Sequence, residues 1–130
     1  MLSQRHDLDI WSLPGGGVEN GEMPTEAAVR ETREETVLKI KIKELMGVYG
    51  KSHKDEFAFV FLGKVNGGKL KKSKEADKHR YFKHHKIPKN TIPRHIKRIQ
   101  NGAQKIEKAV FYRQRSISAR QLLKKLRNQN

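Results

Sequence analysis

Three carboxylates, those of Glu31, Glu34 and Glu35, are the part of this sequence best suited to chemistry. They lie in residues 24–36, a segment that predicts a helix because it has good helix formers and no internal glycine or proline. At about 100° per residue, all three side chains share one helix face. Their charges repel one another, and a hard divalent cation such as Mg²⁺, which prefers oxygen ligands and commonly shares carboxylates with substrate phosphates, would remove that repulsion. The spacing therefore indicates a metal site for phosphate chemistry.

A run of three glycines, Gly15, Gly16 and Gly17, precedes this helix. Without Cβ atoms these residues permit a backbone path that other residues resist. Exposed amides in such a loop can also approach phosphate oxygens. Each feature alone has a simpler interpretation, since a glutamate-rich helix is most often a solvated face and a glycine run is usually a flexible loop.

The order in which these residues occur resembles the signature of the Nudix hydrolases, G-x5-E-x7-R-E-U-x-E-E-x-G-U, where U is a bulky aliphatic residue. Thr32 stands at an aliphatic position, and Val37 stands where the pattern has glycine. Glycine there commonly adopts the left-handed conformation, which is costly for valine, so we expect the helix to end differently. The joint occurrence at this spacing favours the functional interpretation over the simpler ones. The matching residues are Gly16, Glu22, Arg30, Glu31, Glu34, Glu35 and Leu38.

The resemblance implies a Mg²⁺-dependent enzyme, with Mn²⁺ as a possible substitute, that cleaves a pyrophosphate bond in a nucleoside diphosphate joined to another group. A bound metal would lower the pKa of a water molecule, and either Glu31 or Glu34 could act as general base. We expect Arg30 to orient Glu22 through bidentate hydrogen bonds. The implied metal ligands are Glu31, Glu34, Glu35 and Glu75; the implied catalytic residues are Glu31, Glu34 and Arg30; the implied phosphate-binding residues are Gly15, Gly16 and Gly17.

Glu75 enters this set from the second half of the chain, where it is one of three acidic residues after residue 65. Residues 74–88 resemble a late segment of the family in which a glutamate precedes an aromatic strand. The alternative is an exposed loop glutamate that balances the surrounding lysines. His84 and His85 are adjacent in a basic loop, which is poor spacing for zinc ligands, so we interpret them as surface residues.

Length and composition predict one domain over residues 1–130, with the signature at 16–38 and a basic portion at 66–130. There are no cysteines, the longest apolar run (57–62) is too short to span a bilayer, and no secretory signal is evident, so we expect a cytoplasmic protein without a membrane partner. Residues 1–65 carry 9 Lys/Arg and 11 Asp/Glu, a charge of −2. Residues 66–130 carry 20 and 3, a charge of +17. This half could attract polyphosphates or nucleic acid, or it could reflect solubility or a compositional bias toward lysine.

The remaining pattern favours an α+β fold, an α/β/α sandwich with a mixed sheet between helices. Ser118 is a plausible N-cap for the last helix, whose leucines 122, 123 and 126 lie on one side. A turn is expected at residues 66–68. Strands are expected at residues 8–13, 38–43, 45–49, 56–65, 80–82 and 109–113, and further helices at 93–100 and 119–127.

The start of the chain is short for this fold, because the glycine loop begins at residue 15. Residues 1–5 resemble the end of a strand whose first part is shortened or missing. The natural start could lie upstream, the chain could be trimmed, or a partner chain could supply the sheet edge, as in a homodimer. Besides the hydrolase, two alternatives remain: a Nudix-fold module that binds RNA or another polyanion with weak or no turnover, and a truncated inactive form.

Overall fold

The computed structural model describes residues 1–104, 108–114 and 117–129. Within these residues the chain forms six strands and three helices. They are β1 (Leu2–Arg5), β2 (Trp11–Ser12), α1 (Pro24–Thr36), β3 (Lys39–Lys51), β4 (Phe57–Gly67), β5 (Ala76–Arg80), α2 (Pro93–Ala103), β6 (Val110–Gln114) and α3 (Ala119–Arg127). This is the predicted α+β class, but the strands divide between two three-stranded sheets instead of forming one.

The first sheet is antiparallel and has the strand order β2-β1-β5. Ser3 of β1 pairs with Ser12 on one side and with His79 on the other. Residues near the N-terminus therefore lie in the centre of a sheet and not at the expected unpaired edge. The prediction of a strand at residues 80–82 is wrong, because the segment that pairs with β1 ends at Arg80. The strand predicted at 8–13 is reduced to two residues.

The second sheet is mixed, with the order β4-β3-β6. β3 pairs antiparallel with β4 and parallel with β6, so that Val48 lies between Phe59 and Phe111. The two strands predicted at 38–43 and 45–49 are one continuous strand, whose register shifts between Ile42 and Glu44 and again between Leu45 and Gly47. Such bulges bend a strand without ending it. The predicted turn at residues 66–68 is displaced, because β4 runs through Gly67.

The helices follow local signals closely. α1 and α3 have the predicted bounds, and the hydroxyl of Ser118 accepts a hydrogen bond from the Gln121 amide at 3.1 Å. α2 begins at the predicted Pro93 but continues to Ala103. Leu122 is buried with Ile10 and Ile92, and the surrounding apolar side chains are Leu8, Ile117, Ala119, Leu123 and Leu126. The apolar side of α3 thus packs onto the chain segments that lead into β2 and α2. None of the described helices is long and apolar enough to cross a membrane.

The end of α1 contradicts the expectation that valine would change its geometry. Val37 adopts the left-handed conformation with φ of 65°, and its amide donates to the Arg33 carbonyl oxygen at 2.8 Å. Gly68 lies close by, since a Cβ atom there would be only 2.3 Å from the Val37 carbonyl oxygen. The approach of the chain after β4 therefore accompanies a backbone conformation that valine adopts only at a cost.

Candidate active site

Three carboxylates from two distant parts of the chain meet beside the N-terminal end of β5. Ligand oxygens of Glu31, Glu35 and Glu75 all lie within 4.8 Å of one another. The first two come from one face of α1, as the helical spacing predicts. Glu75 directly precedes β5, and the Ser73 hydroxyl accepts hydrogen bonds from the amides of Glu75 and Ala76, at 3.2 and 3.1 Å. We call these three residues the carboxylate cluster.

Glu34 was also expected among the metal ligands, but its carboxylate does not belong to the cluster in the described structure. Its Oε2 atom accepts a hydrogen bond from Arg30 Nη1 at 3.1 Å, and the side chain is 48% exposed. The same guanidinium nitrogen donates to Glu31 Oε1 at 3.0 Å. Arg30 therefore lies between one carboxylate inside the cluster and one outside it.

Arg30 also makes the expected bidentate contact with Glu22. Its Nε and Nη2 atoms donate to the two carboxylate oxygens at 2.7 and 3.1 Å, and Nη2 donates to the Gly17 carbonyl oxygen at 2.9 Å. The hydrogen bond from Arg30, followed by one from the Glu19 amide, lowers the pKa of Glu22. The bond to Glu22 in turn raises the pKa of Arg30. This ion pair joins the glycine loop to α1 and keeps both partners charged.

The glycine loop packs directly against the cluster. A Cβ atom on Gly16 would lie 2.4 Å from the carboxyl carbon of Glu31, so only glycine fits there with Glu31 in its present position. The Gly15 amide donates a long hydrogen bond, 3.5 Å, to Glu35 Oε1. The loop amide thus contacts a cluster carboxylate, whereas the sequence predicts that it contacts phosphate.

Glu35 carries the electrostatic cost of this arrangement. Burial raises its pKa to about 7, and the charges of Glu75, Glu31 and Glu34 add to that effect, while the Gly15 hydrogen bond opposes it. Without a cation the cluster therefore holds charges that the protein does not fully compensate. Three converging oxygen donors with this excess of negative charge fit a hard divalent ion such as Mg²⁺ or Mn²⁺.

A cavity of about 550 Å³ opens beside Glu35 and Glu75. Its wall combines these carboxylates with basic and neutral polar side chains, so it can receive an anionic ligand next to a metal. The sequence did not indicate these additional residues, which include Arg5, Lys74 and His95. A larger cavity, about 840 Å³, lies along Val29, Arg30 and Ile42, but none of the three cluster residues lines it. The smaller cavity is therefore the one that adjoins the predicted chemistry.

His84 and His85 are both exposed, and they do not join a group of potential metal ligands within the described residues. Their interpretation as surface residues is therefore consistent with the structure. The basic residues of the second half are spread over several elements, including Lys124 and Lys125 in the last turns of α3.

Comparison with known proteins supports one family. The model of the NUDIX domain matches residues 1–101. A protein of Bacillus subtilis (strain 168), provisionally named an 8-oxo-dGTP diphosphatase, is 32% identical over 114 residues, which are 85% of this chain and 76% of that protein. The ADP-ribose pyrophosphatase of Methanocaldococcus jannaschii is 42% identical over 83 residues, 61% of this chain and 49% of that one. The chain thus spans about three quarters of the first relative's length and about half of the second's.

Solved structures share the fold. The crystal structure of a UDP-X diphosphatase superposes with a TM-score of 0.69 and 26% identity, covering 85% of this chain and 59% of that one. The crystal structure of a NUDIX hydrolase from Nitrosomonas europaea gives a TM-score of 0.71 with 23% identity, covering 88% and 70% of the two chains. The second likeness, at this low identity, concerns the fold alone.

Proposed function

The chain belongs to the Nudix hydrolases, a family of enzymes that hydrolyse pyrophosphate bonds, and from this premise we propose that it is a Mg²⁺-dependent pyrophosphohydrolase acting on a nucleoside diphosphate joined to another group. The carboxylate cluster is the observation that carries this proposal. Its three residues come from α1 and from the segment before β5, and their ligand oxygens lie within 4.8 Å of one another. Mn²⁺ would satisfy the same oxygen donors.

Glu31, Glu35 and Glu75 would hold the metal ion in this proposal. A bound divalent ion supplies charge neutralisation to the pyrophosphate and lowers the pKa of a water molecule. Glu34 lies outside the cluster, so its carboxylate stays available to accept the proton of the attacking water as general base. Arg30 contacts both Glu31 and Glu34 and would hold them in a fixed relation.

The cavity beside the cluster is consistent with a nucleotide-type substrate. Its basic side chains, Arg5 and Lys74, can neutralise phosphate oxygens, and the remaining volume can receive part of a sugar or base. Two relatives are named for 8-oxo-dGTP and for ADP-ribose, and both compounds contain a pyrophosphate linkage. We therefore include both compounds among the candidate substrates.

A substrate screen tests the proposal. The purified chain is incubated with ADP-ribose, 8-oxo-dGTP, UDP-sugars and capped RNA, each with Mg²⁺ or with EDTA, and the products are separated by chromatography. We expect cleavage at the pyrophosphate of at least one compound with Mg²⁺ and none with EDTA. The matched variant Glu35→Gln should be inactive on the same compound. Absence of cleavage for every compound, with Mg²⁺ binding also absent, would contradict the proposal.

A second candidate function rests on the charge of the second half. The +17 of residues 66–130 (20 Lys/Arg against 3 Asp/Glu) would attract RNA or another polyanion whether or not the cluster is active. A binding module would retain RNA in EDTA, whereas the hydrolase needs the metal for turnover. The two functions can therefore be measured separately in one preparation.

A further inference from the structure

His95 lies on α2 and lines the same cavity as Glu35 and Glu75, although it is far from them in sequence. Its Nδ1 atom accepts a hydrogen bond from the Leu13 amide at 2.9 Å. Leu13 is two residues before Gly15, whose amide contacts Glu35. The imidazole is therefore fixed to the same short loop that contacts the carboxylate cluster.

This hydrogen bond determines which ring nitrogen carries the proton. An Nδ1 atom that accepts from a backbone amide is unprotonated, so the proton of the neutral ring is on Nε2. No described residue accepts a hydrogen bond from Nε2, and this atom is not among the fully buried polar atoms that lack a partner. The Nε2–H group is thus a free donor with access to the cavity that the ring lines.

The ring stays neutral at physiological pH. Burial lowers the pKa of His95 to about 3, and the positive charges of Arg98, Arg94 and Lys51 act in the same direction. An imidazole with such a pKa is a poor proton donor in catalysis, because almost none of it is protonated near neutral pH. Its chemical contribution is a hydrogen bond with a fixed direction.

We propose that His95 is a substrate-binding residue whose Nε2–H group donates a hydrogen bond to a phosphate oxygen of the pyrophosphate bound beside the carboxylate cluster. This proposal rests on the pyrophosphohydrolase function. Arg5 and Lys74 of the same cavity supply positive charge, and His95 adds a directional donor without adding charge. A neutral donor there binds phosphate without competing with a metal ion for the carboxylates, as a third cation would.

Two substitutions separate the two nitrogens of the ring. In His95→Asn the side-chain oxygen can replace Nδ1 as the acceptor for Leu13, while the donor to the cavity is lost. In His95→Gln the amide nitrogen can reach the position of Nε2, while the acceptor for Leu13 is lost. If His95 only anchored the loop, the Gln variant would be the damaged one. If it binds phosphate, the Asn variant loses affinity despite an intact loop.

The test uses imidodiphosphate, a non-hydrolysable analogue of pyrophosphate, with the full chain and saturating Mg²⁺. We expect His95→Asn to weaken imidodiphosphate binding about five- to tenfold by calorimetry, with Mg²⁺ affinity and thermal stability close to wild type. His95→Gln should retain more of the imidodiphosphate affinity but unfold at a lower temperature. The ¹⁵N spectrum of the wild type should show the Nε2–H tautomer and a shift of Nε2 when imidodiphosphate binds, which a purely structural histidine would not show.

Equal imidodiphosphate affinity in wild type and His95→Asn, together with an unshifted Nε2 resonance, would overturn the role of His95. Hydrolysis by the wild type would then still support the proposed function. Failure of the wild type to bind both Mg²⁺ and imidodiphosphate would overturn the two proposals together. Kinetics on a cleaved substrate give an independent reading, because loss of a ground-state contact raises KM more than it lowers kcat.

Discussion

At the scale of single residues, the ionisation of Glu35 links metal binding to the stability of the metal-free protein. Its pKa of about 7 in the folded chain lies above the ordinary value of 4.5. The folded state therefore binds this proton more tightly than the unfolded state does. The resulting stabilisation is complete below about pH 4.5 and is lost as the pH rises through about 7.

We expect Glu35→Gln to remove this pH dependence, because the amide cannot ionise. In EDTA the wild type should lose thermal stability between about pH 5 and about pH 8, while the variant loses less and is the more stable of the two at the higher pH. Turnover with Mg²⁺ should fall on the order of a hundredfold or more, as for removal of a central electrostatic group. Glu44→Gln, at an exposed position of β3, is the control and should match wild type in both measurements.

Glu34 and Glu31 should differ in how they affect metal binding, since one lies outside the cluster and the other inside it. Glu34→Gln should reduce kcat on the order of a hundredfold while Mg²⁺ affinity changes little. Glu31→Gln should weaken Mg²⁺ binding as well as turnover. Calorimetric titration with Mg²⁺ or Mn²⁺ measures the first quantity independently of activity. If Glu34→Gln bound Mg²⁺ as weakly as Glu31→Gln, Glu34 would be a metal ligand and not the free base.

Gly16 provides a test of the packing between the loop and the cluster. The Cβ atom of Gly16→Ala would overlap the Glu31 carboxylate, which can move away because it ends a flexible side chain. We therefore expect little loss of stability but a Mg²⁺ affinity reduced about tenfold, in the range seen when the support of a metal ligand is lost. Gly17→Ala is the matched control, since a Cβ atom there has nothing within 4 Å. Unchanged Mg²⁺ affinity in both variants would show that the position of Glu31 does not matter for the metal.

At the scale of secondary-structure elements, features that depend on neighbouring residues were predictable. The start of α1 follows from Pro24, and the start of α3 follows from the Ser118 cap, because both signals act within one helical turn. The position of β5 was not predictable, because it is set by pairing with β1, where His79 meets Ser3 across 76 residues. His95 was missed for the same reason, since its function depends on a hydrogen bond to Leu13, 82 residues away.

The candidate site divides in the same way. The shared face of Glu31 and Glu35 follows from helical geometry, and the contribution of Glu75 was indicated by family resemblance. Helical geometry could not predict that Glu34 lies outside the cluster, because that position depends on where the Arg30 guanidinium lies between its four carboxylate contacts. Side-chain partners chosen by packing are invisible to periodicity alone.

The C-terminus of α1 yields a stability prediction. Val37 has a φ of 65°, a conformation that costs an L-residue about 1–2 kcal/mol. Its side chain is 37% exposed, so substitution removes little buried surface. Val37→Gly should therefore stabilise the chain by about 0.5–1 kcal/mol, the relief of strain being offset in part by the greater freedom of glycine when unfolded. Urea unfolding measures this, with Val37→Ala as the control that retains the strain. A less stable glycine variant would mean that the valine side chain contributes more than its exposure indicates.

At the scale of the whole molecule, the distribution of charge separates two activities. The carboxylate cluster draws two of its three residues from the first 65 residues, which carry −2 (9 Lys/Arg against 11 Asp/Glu), whereas residues 66–130 carry +17 (20 against 3). If the basic half neutralises several phosphates of a generic single-stranded RNA, the logarithm of the binding constant should fall linearly with the logarithm of the salt concentration. The slope is about −0.7 for each phosphate contacted.

We expect binding of such an RNA to weaken steeply between low and moderate salt, in EDTA so that hydrolysis does not interfere. The double variant Lys124→Glu, Lys125→Glu on exposed positions of α3 should lower the affinity and reduce the magnitude of the slope by about 1–2. Lys41→Glu with Lys43→Glu, exposed on β3 in the acidic half, makes the same change of net charge and should alter the slope less. Equal effects of the two double variants would mean that RNA responds only to total charge. Flat salt dependence in the wild type would reduce the +17 to a trait of composition and would remove the support for an RNA-binding function, leaving hydrolysis at the carboxylate cluster as the function to measure.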